Sequence, residues 1–97
     1  MSAAYNNLLS PGQIGTMPVK NRLIVTAMGV ILAEKDGTTA ERLIAYHEEQ
    51  AKGGAGLIIT GVTSVAWPTG AVVPHQTAIS DDRYLPGLTE LVERVHR

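Results

Sequence analysis

The chain has 97 residues, 44% of them hydrophobic, with eight basic and nine acidic side chains and a formal net charge of −1. That length supports one modest core, or part of a larger one, and excludes two independent domains; scattered, nearly balanced charge speaks against nucleic acid, and no apolar run approaches the roughly 20 residues of a membrane span. The absence of cysteine excludes disulfides, cysteine-ligated zinc and thiol nucleophiles within these residues, and an N-terminus without a signal-peptide pattern leaves a cytoplasmic location as the expectation.

In chain order, residues 8–18 carry Pro11-Gly12 and Gly15 as turn signals between single apolar residues, which predicts a short hairpin or an irregular lid. After the polar lead-in Lys20-Asn21-Arg22, residues 23–27 form an apolar run with adjacent β-branched side chains. Such continuity suits a strand covered on both faces. Thr38 stands three residues before Glu41, the spacing of a reciprocal helix cap, so Thr38 is the expected N-cap. Ala40, Leu43, Ile44, His47 and Ala51 then share one helical face, with Glu41, Arg42, Glu48, Glu49 and Lys52 largely away from it. Gly53 or Gly54 can end the helix in a left-handed conformation.

Residues 56–60 supply a second strand, expected parallel to the first through a right-handed crossover. Residues 62–80, with Trp67-Pro68, Gly70 and Pro74, read as a long irregular loop on the side where ligands collect. Asp81 or Asp82 can cap a final helix with Pro86 in its first turn. Leu88, Leu91, Val92 and Val95 form its expected buried stripe, leaving Glu90, Glu93, Arg94 and Arg97 solvated.

Few side chains in this pattern carry chemistry. The glycines at 53, 54 and 56 follow a helix and precede a strand, the reverse of a phosphate-cradling loop, so they read as a helix stop. No two of His47, His75 and His96 share the close helical spacing of a zinc site, and no metal site is expected. His47 lies on an apolar stripe and reads as a hydrogen-bonded core residue; His75, in the long loop, is the one histidine that could stand near a substrate, an ordinary loop residue being the commoner reading of such a position. Trp67 could line a pocket mouth or cover a sheet edge. The positions with the best functional claim are Thr26, Ala27, Met28, Gly29 and Gly61. Small residues at the carboxyl ends of parallel strands let a flat ligand reach backbone N–H and C=O groups, although tight turns leaving a sheet use the same residues.

The segments LLSPGQIGTMPVKNRLIVTAMG, YHEEQAKGGAGLIITG and ISDDRYLPGLTELVERVH resemble the opening of the Old Yellow Enzyme family of FMN-dependent NAD(P)H:flavin oxidoreductases, with the 2,4-dienoyl-CoA reductase branch nearest. The resemblance implies an α/β fold, the first two βα units of a (β/α)₈ TIM barrel preceded by a short hairpin or lid. It implies hydride transfer from NAD(P)H through FMN to the activated double bond of an unsaturated carbonyl compound or thioester. Thr26, Ala27, Met28 and Gly29 would then touch the flavin from the first strand end and Gly61 from the second, through positioning and backbone hydrogen bonds.

The departures also carry information. Ala27 replaces the family's common proline, and Gly29 replaces a cysteine or threonine that tunes the flavin potential in some members. Val30 and Ile31 stand where some members carry an aromatic residue. The family's other flavin and substrate ligands, and any 4Fe–4S cluster, are expected beyond Arg97, since a barrel needs about 250 residues. An alternative of another class is a noncatalytic module that associates with another chain, since two strands with apolar faces bury themselves poorly alone and invite oligomer formation. A TIM-barrel enzyme using its strand ends for phosphate or metal is a third reading.

Overall fold

The computed structural model describes residues 5–71 and 75–97. The elements run β1 (Gly12–Ile14), β2 (Met17–Val19), β3 (Ile24–Val25), α1 (Glu41–Lys52), β4 (Leu57–Ile58), β5 (Thr63–Ser64), β6 (Thr77–Ala78), a 3₁₀ turn (Asp82–Tyr84) and α2 (Leu85–Val95). They form three two-stranded sheets: β1 and β2 are antiparallel, whereas β3 with β4 and β5 with β6 are parallel.

Gly15, at φ +59, turns the β1–β2 hairpin, and Gly12 pairs with Val19 across it. The hairpin shares a small cavity with Asn21, Arg22, Ile24 and Leu57, toward the amino ends of β3 and β4. The expected hairpin is therefore present, but it is no lid over the carboxyl ends of those strands.

β3 and β4 pair Ile24 with Leu57 and Val25 with Ile58. Their ladder includes Gly56 N–H donating to the Leu23 carbonyl and Ile59 N–H donating to that of Val25, each at 2.9 Å. Both strands are shorter than the expected 23–27 and 56–60, because Thr26 and Ala27 leave the ladder. Asn21 secures the other end. It is buried, its Nδ2 donates to the Gly54 carbonyl at 2.6 Å, and its Oδ1 accepts from Leu23 N–H at 2.9 Å. One side chain thus ties the helix-to-strand turn, where Gly54 takes φ +108, to the start of β3.

The helix α1 starts later than Thr38. Ala40 is its N-cap, with extended backbone and no side-chain cap, because the residues ahead of it are engaged elsewhere. Thr38 N–H donates to Asp36 Oδ1 at 3.0 Å, and the Thr38 carbonyl accepts from Glu34 N–H. Hydrogen bonds from the Thr38 side chain and then from its backbone N–H hold the Asp36 carboxyl below its ordinary range. Thr39 is buried beneath α2, where a side-chain carbon on Gly87 would run into the Thr39 carbonyl.

Leu43, Ile44 and His47 of α1 are buried, as expected, and so is Leu91 of α2. Leu88 and Val95 are half-buried, but Val92 is 50% exposed. Arg94 turns inward instead, drawn to carboxylates of α1. The Arg94 side chain is 16% exposed and joins Glu41 at 2.6 Å to Glu48 at 2.7 Å, so Arg94 is not the solvated residue that the pattern predicted. Hydrogen bonds from Arg94 hold both glutamates below their ordinary range, and the same bonds raise Arg94. Asp81 caps the 3₁₀ turn by accepting from Arg83 N–H at 3.1 Å, and Pro86 occupies the first turn of α2. Tyr84, buried, donates from its hydroxyl to the Asp36 carbonyl at 2.8 Å, latching the loop after β3 to the second helix.

The segment expected to be irregular between residues 62 and 80 contains β5 and β6, paired Thr63 with Thr77 and Ser64 with Ala78. Ala78 N–H also donates to the Gly37 carbonyl. These strands are too short and too polar to show the period of a strand in the sequence. Among the described residues, no helix is long and apolar enough to cross a membrane.

Candidate functional site at the carboxyl strand ends

Beyond the ladder the two segments that follow β3 and β4 stay adjacent through Gly61. A side-chain carbon there would collide with the Met28 carbonyl and crowd Gly29 Cα, so glycine is required for backbone to lie against backbone. Gly29 is different. A side-chain carbon on it would meet only Val62 Cγ1, at 3.8 Å, which is ordinary contact. One glycine closes the seam between the strand ends, and the other leaves space above it.

That space belongs to a cavity of about 380 Å³ lined by both glycines. Val30, Ile31 and Leu32 contribute from the loop after β3, Leu43 and His47 from α1, and Leu88 and Leu91 from α2. Its polar wall includes Thr39, His75 and Gln76. The lining is thus chiefly apolar with a few polar groups, the make-up of a small-molecule site. Of the sequence-predicted positions, Gly29 and Gly61 line this cavity, whereas Thr26, Ala27 and Met28 precede it on the exposed strand end.

The histidines divide. His47 is buried, with Nδ1 at 3.0 Å from Gln50 Oε1 and its ring edge-on to Tyr46 at 5.2 Å, so it is the hydrogen-bonded core residue expected, yet it also forms part of the cavity wall. His75 is half-buried in the cavity lining, its Nδ1 at 2.9 Å from the Ala33 carbonyl. The His75 carbonyl in turn accepts from Ala33 N–H at 3.1 Å. His96 is exposed at the end of α2, away from the cavity. Trp67 lies outside the cavity lining as well. Its ring sits over Gly37, and its backbone N–H donates to Ser80 Oγ at 3.3 Å, just past the end of β6.

Among the described residues, two other than glycine hold left-handed backbones, Ile31 at φ +46 and His75 at φ +62, and both line this cavity. Such conformations cost about 1–3 kcal/mol each and gather at functional sites. Nothing in a β-branched residue announces a positive φ, so Ile31 carried no signal in the sequence. Thr39 is the other unforeseen member, its buried hydroxyl without a hydrogen-bond partner among the described residues. Among those residues there is also no group of three or more metal-ligating side chains.

The same architecture recurs in solved structures. The Old Yellow Enzyme from Trypanosoma cruzi superposes with a TM-score of 0.84 at 28% identity, over 97% of this chain and 25% of that one. A 2-naphthoyl-CoA reductase in complex with 2-naphthoyl-CoA gives 0.81 at 30% identity, over 95% of this chain and 14% of that one. In sequence, an NADH oxidase from Thermoanaerobacter brockii is 41% identical over 92 residues, which is 95% of this chain and 14% of the relative. The present α/β arrangement therefore corresponds to the N-terminal portion of the barrel-like fold of those enzymes and spans a small part of their length. Residues 7–97 match the family model as one continuous stretch, and the chain belongs to the NADH:flavin oxidoreductase / NADH oxidase family.

Proposed function

We propose that this chain contributes the first strand-end segment of an FMN site in an enzyme that passes hydride from NAD(P)H to an activated C=C bond of an unsaturated carbonyl compound or thioester. The observation that carries this reading is the seam at Gly29 and Gly61, where two parallel strand ends meet backbone to backbone beside a largely apolar cavity. A planar ring system fits such a surface because no side chain holds it away from the peptide groups. FMN, when bound, supplies the redox chemistry. The chain's own residues position it: Thr26, Ala27 and Met28 along the exposed strand end, Gly29 and Gly61 at the seam, and Leu43, Leu88 and Leu91 excluding water behind them. The complex of 2-naphthoyl-CoA reductase with its thioester supports a thioester among the substrates, in keeping with the 2,4-dienoyl-CoA reductase branch. The proposed setting is a (β/α)₈ barrel in the cytoplasm, with any 4Fe–4S cluster held by residues outside this segment.

The test is FMN titration, by flavin fluorescence, of a protein that extends this segment through the rest of the barrel, followed by NAD(P)H oxidation with an enone and with an enoyl thioester. Saturable FMN binding and acceptor-dependent oxidation are expected. A folded protein with no affinity for FMN overturns the reading.

One observation favours a second reading, a noncatalytic module completed by another chain. Ile24 and Ile59 on the β3–β4 pair are 49% and 47% exposed, a poor state for a sheet face in water. Light scattering separates the two, since a compact monomer with sharp thermal unfolding contradicts the associating module.

A further inference from the structure

We infer that His75 is a ligand-recognition residue of this site, presenting its ring Nε2 as a hydrogen-bond acceptor to an N–H or O–H group of the bound cofactor or reductant. The inference rests on the proposed function for the identity of the ligand and on the following geometry for the residue. The Ala33 carbonyl can only accept, so the 2.9 Å contact with His75 Nδ1 requires Nδ1 to carry the proton. In the neutral ring the lone pair is then on Nε2. Ala33 is buried and also donates its N–H to the His75 carbonyl, so backbone and ring are held together at one point. That double attachment keeps a non-glycine residue left-handed on the wall of the cavity that Gly29 and Gly61 share. Bracing the two loops needs only Nδ1 and the peptide carbonyl. The second ring nitrogen is surplus to that task and is the atom that selects a ligand.

Two molecules of the proposed reaction carry the complementary donor: the flavin, through its pyrimidine N–H, and the reduced nicotinamide, through its carboxamide. His75→Asn isolates the question. The asparagine amide can occupy the position of Nδ1 and keep the bond to Ala33, asparagine tolerates a positive φ, and nothing replaces Nε2.

With the thermal midpoint retained, His75→Asn is expected to weaken one ligand about five- to tenfold, the loss of a single neutral hydrogen bond. A weaker FMN dissociation constant identifies the flavin. Unchanged FMN affinity with a raised KM for NAD(P)H and a retained kcat identifies the nicotinamide. Unchanged values for both overturn the inference. If the asparagine variant does not fold, ¹⁵N spectra of the wild-type ring decide: FMN or NAD(P)H must move the Nε2 resonance and leave Nδ1 protonated, and a ring indifferent to both refutes the role. A wild-type protein that binds no FMN overturns the functional reading first, before any substitution is made, and this inference with it.

Discussion

On the helix side of the β3–β4 pair, Leu43 and Ile44 are buried and Arg94 joins Glu41 to Glu48 across the two helices. At the carboxyl ends of the same strands, Met28 and Val62 are 56% and 58% exposed, and Ile31 and His75 hold strained backbones. The first region has its polar groups paired and its apolar groups covered, so it stabilises the segment. The second retains open apolar surface and strain that the first must offset. Stabilising contacts and open, strained surface are thus separated across a few residues of one βαβ unit, the division expected where ligands gather at strand ends.

Substitutions can break that contrast. Ile44→Ala, in the most buried part of the helix layer, is expected to cost about 2–5 kcal/mol, and a thermal melt that falls little would show that the layer is not the stabilising half. Asn21→Ala removes both bonds that join the Gly54 turn to β3. It should cost about 1–3 kcal/mol, with early hydrogen exchange at Gly56 and Leu57. Gly61→Ala, at the seam itself, is expected to lose about 1–3 kcal/mol by overpacking against Met28 and to weaken FMN uptake in parallel.

Acid titration probes the helix side through the Arg94 clamp. Because Arg94 depresses Glu41 and Glu48, their contribution is complete above the ordinary glutamate range near 4.5 and declines as pH falls below it through the lowered folded values. The acid limb of the thermal midpoint should therefore flatten in Arg94→Met, and an unchanged limb would remove the clamp from the account. Gly29→Ala is the mildest change. Stability should stay within about 0.5 kcal/mol, since only Val62 is near, whereas FMN affinity or the flavin potential should move. Equal destabilisation by alanine at 29 and at 61 would abolish the distinction between an open and a closed glycine.

The parts legible in the sequence were those with a local period or a local turn signal. The stripe of Leu43, Ile44 and His47, the Gly54 stop and the hairpin around Gly15 each follow from nearest neighbours along the chain. Errors arose where a distant group competed. Thr38 has the spacing of a cap for Glu41, but Asp36 takes its N–H and Arg94 takes the Glu41 carboxylate. Arg94 looked solvated because its partners lie 46 and 53 residues away. At the site, Gly29 and Gly61 were singled out as equivalent small residues, and only their surroundings distinguish them.

The sequence by itself determined a strand–helix–strand order, a helix face, an absence of cysteine chemistry and a pair of strand ends bearing glycines, because period, turn preference and composition are local or additive. The tertiary structure alone decided that the hairpin sits at the amino ends, that β5 pairs with β6, and that His75 and Ile31 meet in one cavity with those glycines. Such features arise when distant backbones compete for the same hydrogen bonds and the same space, and no window of sequence contains both competitors.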